Sequence, residues 1–245
     1  MGWSANIGVM TMTPRQWRYG DAGDRWNVQT GDVWAVDHDR VILVCGDLER
    51  GAGVQAVQEC HEPVSMIYVD PPWDQGNANA FRTKAGLASR ADFERLIDSI
   101  LDLFIHTGAC GFMEVGKRRG DWVIAQIAER GMVVSHVWDI TYYRRDPCRL
   151  VGICHDDQTA ARMKELELDG VDDEKTPALT IQWGVEPGGI VFDPCMGRGL
   201  TMRSALECGA RALGVELHPR RLAVCLDWCA RQGMSVALVK RGDVT

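Results

Sequence analysis

The chain has 245 residues, a formal net charge of -7, 46% hydrophobic and 25% charged side chains. That composition fits one globular domain and excludes collagen, a coiled coil and extensive disorder. No apolar run approaches the ~20 residues of a membrane helix, and the acidic balance argues against a protein that merely coats nucleic acid.

Residues 1–30 are polar, rich in Gly, Asp and Trp, and weakly periodic. They predict an irregular arm, pinned by Trp3, Trp17 and Trp26, ahead of a domain over 31–245. The opening residues lack the basic and apolar regions of a secretory signal. Nine cysteines, an odd number, lie mostly inside apolar runs. They read as reduced thiols packed as small hydrophobes in a cytoplasmic protein. There is no C-x-x-C, and Cys148, Cys154 and His155 lack zinc-site spacing, so no metal is expected.

The β-branched runs 33–36 and 40–45 flank Asp37-His38-Asp39 and predict a hairpin. A short helix is expected near 54–57. Residues 66–69 are apolar without alternation, as in a buried parallel strand, and stop at Asp70-Pro71-Pro72-Trp73. Ser89 is the expected N-cap of a helix whose apolar residues run from Phe93 to Phe104 at helical spacing. Then come a strand over 110–115, a helix over 122–129 ended by Gly131, and strands over 132–142 and 149–154. Residues 155–174 carry 8 acidic and 2 basic side chains, with some helix around 160–168. A helix over 177–183 precedes the strand 190–192, the helix 201–208, the strand 212–215 and the helix 220–232.

Strands alternating with helices predict an α/β fold: a largely parallel sheet with helices on both faces. Ligands in such sheets sit beyond the carboxyl ends of the strands. Asp47, Asp70, Asp193 and Glu216 each follow a predicted strand, so they are expected to converge on one edge.

Two segments there carry chemistry. The run Asp193-Pro194-Cys195-Met196-Gly197-Arg198-Gly199 is a tight glycine turn between strand and helix. Glycine allows close backbone approach and positive φ, and the helix start offers free N–H groups. Glu216 lies 17 residues past Gly199, near the spacing at which an acid grips ribose hydroxyls. A nicotinamide cofactor is possible on these features alone. Asp70-Pro71-Pro72-Trp73 decides against it. Its prolines remove two N–H donors and leave carbonyls and a carboxylate as acceptors beside an aromatic ring. Such a cluster suits a planar ring that bears an exocyclic amino group.

Asp70-Pro71-Pro72-Trp73 resembles the D-P-P-[YWF] signature of amino-methyltransferases acting on adenine or cytosine in nucleic acid. The stretch from Asp193 through Gly199, Leu200 and Thr201 resembles their D-P-F-x-G-S-G-T-T turn. Gly214-Val215-Glu216 resembles their G-x-E, and Glu174-Lys175-Thr176-Pro177 a degraded form of their Q-K-P segment. Gly31-Asp32-Val33-Trp34 and Val44-Cys45-Gly46-Asp47 look like the opening of bacterial and phage members. The catalytic motif precedes the cofactor motif, the permuted order of the β group, and the likeness spans about 31–230. Cys195 and Met196 stand where the family has an aromatic and a small residue, and Arg198 where it has a small one.

The resemblance implies a Rossmann-like class I methyltransferase with a seven-stranded, mostly parallel sheet. It implies S-adenosylmethionine held by Asp47, Lys175, Asp193, Pro194, Cys195, Gly197, Gly199, Leu200, Thr201 and Glu216. Asp70, Pro71, Pro72 and Trp73 are the implied catalytic residues, with Phe81, Arg82 and Lys84 on the extruded base and its phosphates. The expected substrate is adenine in DNA, in a bacterial cell or phage-infected host, with a homodimer or partner subunit possible. Cytosine N4 methylation, RNA adenine methylation and a catalytically silent binding partner are the alternatives. Residues 155–174 fill the slot of the family's target-recognition insert, but their charge makes them a poor groove reader.

Overall fold

The computed structural model describes residues 19–142 and 146–242; Trp3, Trp17 and the pair Arg144-Arg145 lie outside them. Among the described residues nine strands form one sheet: β1 Val33–Val36, β2 Val41–Cys45, β3 Met66–Val69, β4 Gly111–Val115, β5 Val133–Tyr142, β6 Asp146–Cys154, β7 Ile190–Asp193, β8 Arg211–Glu216 and β9 Val236–Lys240. Their spatial order is β5-β6-β4-β3-β7-β8-β2-β1-β9. The five central strands, β4-β3-β7-β8-β2, pair in parallel; β6, β5, β1 and β9 join antiparallel. β2, β3, β4 and β7 are buried at every position, because helices cover both faces.

The helices are α1 Tyr19–Trp26, α2 Ala52–Cys60, α3 Gln75–Lys84, α4 Phe93–Thr107, α5 Gly120–Glu129, α6 Asp157–Met163, α7 Thr176–Gly184, α8 Leu200–Glu207 and α9 Pro219–Arg231. Side chains of α2, α4 and α5 pack with Ile67, Val69 and Met113 on one face of the sheet. Those of α1, α6, α7, α8 and α9 pack with Tyr68 and Phe112 on the other. Strand alternation thus assigns every central residue to one of two cores.

Four local expectations change. Among the described residues the sheet has nine strands, not seven. The hairpin strand β1 extends it past β2, and β9 pairs only with β1. β9 was not foreseen because, as an edge strand, it is only partly buried and shows no clean alternation. The arm is helical over Tyr19–Trp26: α1 packs on α9, Arg25 pairs with Asp227 at 3.3 Å, and Trp26 meets Trp34 edge-on at 5.9 Å. The N-cap of α4 is Asp92, whose carboxylate accepts from the Arg95 N–H at 3.1 Å, not Ser89. Finally, the acidic segment is not a free insert. Met163 and Leu168 are fully buried, and Trp138 Nε1 donates to the Leu166 carbonyl at 2.9 Å. Among the described residues no helix is long and apolar enough to cross a membrane. None of their His, Cys, Asp and Glu form a group of three or more suited to a metal ion.

Candidate active site

β3, β7, β8 and β2 are consecutive parallel neighbours, so their carboxyl ends lie side by side. Asp70, Asp193, Glu216 and Asp47 therefore meet on one edge. A pocket there is lined by Asp47, Asp70, Pro72, Phe81, Arg82, Pro194, Cys195, Glu216, Leu217 and Arg221, among others.

Asp70 stays accessible at this edge, yet protein and other acids surround its carboxyl. Desolvation pushes its pKa up to about 7, and Asp173 adds to the rise. A hydrogen bond from Trp73 and the charge of Arg221 oppose it. Trp73 Nε1 donates to Asp70 Oδ1 at 3.0 Å. The indole also packs edge-on against Tyr142, with centroids 4.8 Å apart. Gly116, after β4, leaves room for it: a Cβ there would sit 2.8 Å from the Trp73 Cβ. The carboxylate and ring of the D-P-P-W segment are thus held together as one unit.

Next to it, the glycine turn enters α8 with Gly197 and Gly199 at φ of 59° and 79°. A side chain at Gly199 would press on Cys225 Sγ at 3.0 Å. Asp193 Oδ1 accepts from the Cys195 N–H at 2.9 Å, and a bond from Thr201 also favours the charged form. Desolvation still raises Asp193 to about 7. Glu216 is raised to about 7 for the same reason; its Oε1 accepts from the His218 N–H at 2.8 Å. Met196 packs on Gly214, where a Cβ would come within 2.3 Å of its sulfur. The pairing of a thioether with a glycine accounts for methionine at that place in the turn.

The structure corrects the part given to Arg82. Its guanidinium is buried, 5% exposed, and pairs with Asp47 at 2.8 Å and Glu49 at 3.0 Å. It also donates to Ser89 Oγ at 2.8 Å. A group so engaged cannot reach a phosphate. Residues 75–84 are a helix, and Gln75 ties it to the start of α4 through Ala91 O at 2.6 Å and the Phe93 N–H at 3.1 Å. Phe81 remains at the pocket, with Arg221 4.6 Å and Lys84 5.6 Å from its ring centre. Lys84 is exposed. Lys175 and Leu200 also fall elsewhere: with Glu174, Arg203 and Glu207 they line a separate groove between α7 and α8. In the Lys117-Arg118-Arg119 cluster, Arg119 is engaged with Glu94 at 2.7 Å and stacks over Trp122 at 4.4 Å. Lys117 and Arg118 are exposed next to Gly116, hence next to Trp73.

Glu114 is among the residues that sequence reasoning does not single out. Glu114 on β4 is 2% exposed and lies among the acids of this edge. The signal was present: a carboxylate inside the apolar run Gly111-Phe112-Met113-Glu114-Val115 is costly unless the site uses it.

No family model and no curated protein matches the sequence. Solved structures do match. M1.HpyAVI is 16% identical over 77% of this chain and 98% of its own, with a TM-score of 0.57. TTHA0409, a putative DNA modification methylase from Thermus thermophilus, is 16% identical over 78% and 94%, with a TM-score of 0.54. The chain has the DNA-methyltransferase fold. PvuII DNA methyltransferase, which is cytosine-N4-specific, is 11% identical over 75% of this chain and 84% of its own, with a TM-score of 0.51. M1.HpyAVI and TTHA0409 have also been solved in complex with S-adenosylmethionine.

Proposed function

We propose that this chain belongs to the amino-methyltransferases and transfers a methyl group from S-adenosylmethionine to the N6 amino group of adenine in DNA. One juxtaposition carries the reading: Asp70, beside Pro72 and bonded to Trp73, lines the same pocket as Glu216 and the start of the glycine turn. The pocket suits the cofactor chemically. Glu216 and Asp47 offer acceptors for ribose and adenine, Leu48, Leu217 and Pro194 offer apolar walls, and the glycine turn gives a backbone cradle. The bound sulfonium supplies an electrophilic methyl, so no covalent enzyme intermediate is needed.

The protein's task is then positioning and charge. Asp70 and the Pro71 carbonyl accept the amino hydrogens and turn the nitrogen lone pair toward the methyl. That lone pair forms the new C–N bond while the C–S electron pair stays on sulfur. The displaced proton passes to Asp70 and then to water. A base in a duplex must be flipped to reach Asp70, with Trp73 replacing its lost stacking. The initial Asp of the motif favours adenine, since cytosine members more often begin it with Ser. Nucleoside mass spectrometry of DNA from cells expressing the chain is expected to show N6-methyladenine. N4-methylcytosine alone, or methyl label confined to RNA, would overturn the choice of substrate.

Glu216→Ala is expected to weaken S-adenosylmethionine binding by roughly 10- to 150-fold, the loss of ~1.5–3 kcal/mol of charge-assisted bonding. Calorimetry that finds unchanged affinity refutes the ribose assignment.

Phosphates are expected to meet Lys117, Arg118 and Lys84 rather than the acidic 155–174 segment. Neutralising Lys117 and Arg118 together should weaken DNA binding and flatten its salt dependence by up to about two counterions. An unchanged slope in a salt titration places the DNA elsewhere.

A further inference from the structure

The register of β3 and β4 pairs Ile67 with Gly111, Tyr68 with Phe112 and Val69 with Met113. Asp70 and Glu114 are the next residues along, one past the last pair, and the Asp70 charge acts on Glu114. Both side chains leave the sheet on the side of Tyr68 and Phe112, from strands only ~5 Å apart. We propose that Asp70 and Glu114 form a cross-strand carboxyl pair that holds one proton through the working pH range. In that pair Glu114 is the member that keeps its proton near neutrality and positions Asp70 as the ionised acceptor. The proposal rests on the methyltransferase reading and adds a positioning residue to it.

Proton counting behind Asp70 carries the assignment. Glu114 Oε1 and the Tyr68 hydroxyl are 2.7 Å apart; the Tyr68 hydroxyl and Thr176 Oγ1 are also 2.7 Å apart; Thr176 Oγ1 lies 3.1 Å from the Asp173 carbonyl. These are three contacts in a row, ending on a group that can only accept. If Glu114 is ionised, two hydroxyl protons must serve three contacts. One contact, of 2.7 or 3.1 Å, is then left between bare oxygens. If Glu114 is protonated, each link has one proton: Glu114 to Tyr68, Tyr68 to Thr176, Thr176 to the carbonyl. Only the neutral acid satisfies the whole chain. Tyr68 and Thr176 are 1% and 0% exposed, out of reach of bulk solvent.

The other oxygen agrees. Glu114 Oε2 is buried without a hydrogen-bond partner, which a neutral carbonyl oxygen tolerates far better than a carboxylate does. Asp70 differs: it is accessible and has the Trp73 N–H on one oxygen. The groups facing Glu114 are Asp70, Tyr68, Asp173 and Asp193, together with Cys148 from β6. Desolvation and the three acids all push its pKa well up, against the Tyr68 bond. Two carboxyls this close do not both ionise readily. A neutral Glu114 leaves the charge on the member that meets substrate. Thr176 sits in the Glu174-Lys175-Thr176-Pro177 segment, so that segment supports the catalytic strand end.

The test is an infrared pH titration of the full chain. A protonated-carboxyl band should persist at about pH 8, well above an ordinary carboxylate, in wild type and in Asp70→Ala. It should vanish in Glu114→Gln and shift in Tyr68→Phe, where the acid loses its hydroxyl partner. This readout needs no methyl transfer, so a failure of the substrate assignment is distinguishable from a failure of the pair. In activity, Glu114→Gln should lose the alkaline limb that ionisation of Glu114 gives wild type. Absence of the band in folded wild type overturns the proposal. So does a band that survives Glu114→Gln, or a variant that keeps the wild-type alkaline limb.

Discussion

Asp70→Ala is expected to lower methyl transfer by at least about 100-fold, the loss seen when one preorganised transition-state partner is removed. S-adenosylmethionine affinity should stay within a few-fold, because Glu216 and the glycine turn are untouched. The asymmetry follows from position: Asp70 ends β3, whereas the turn and Glu216 end β7 and β8. The pH profile adds a second check. Only the ionised carboxylate can accept the amino proton. With Asp70 raised to about 7, the rate should fall as pH drops through neutrality, by about tenfold per pH unit once the carboxyl is mostly protonated. A variant that keeps more than about a tenth of the activity, or a rate that is flat from about pH 5 to 7, contradicts this role.

Arg82→Ala is expected to act on stability, by about 3–5 kcal/mol. Removing the guanidinium leaves Asp47 and Glu49 as two acids with 9% and 13% side-chain exposure and no buried partner of opposite charge. For a domain of this size the melting midpoint should drop by roughly 6 to 20 °C. The salt dependence of DNA binding, measured below that midpoint, should not change. Calorimetric melting and a salt titration together separate this role from a phosphate contact. An unchanged midpoint with a flatter salt slope would return Arg82 to the DNA. The pairing also couples two parts of the site, since Asp47 lines the pocket and its Oδ1 caps the turn at Glu49.

Much of this was legible in the residues. Buried parallel strands announce themselves as short apolar runs, and β3, β7 and β8 were each found within a residue or two of their observed bounds. An acid directly after such a strand must lie on the carboxyl edge. The convergence of Asp47, Asp70, Asp193 and Glu216 therefore followed from periodicity and the parallel rule alone. The resemblance of the D-P-P-W and glycine-turn motifs to those of amino-methyltransferases supplied the expected chemistry.

Other features depended on partners distant in sequence. Arg82 reads as a surface cation next to Lys84; only the fold puts it against Asp47, 35 positions away. Lys175 follows a motif tied to the cofactor, yet α7 directs it into a different groove. The edge strand β9 and helix α1 owe their place to β1 and α9 rather than to local pattern. Tyr68 and Thr176 are 108 residues apart and meet only in the core. The sequence by itself determined which side chains end the parallel strands, because alternation and strand direction are local properties. The tertiary structure alone decided which charges are paired, buried or protonated, because those depend on neighbours brought in from other strands and helices.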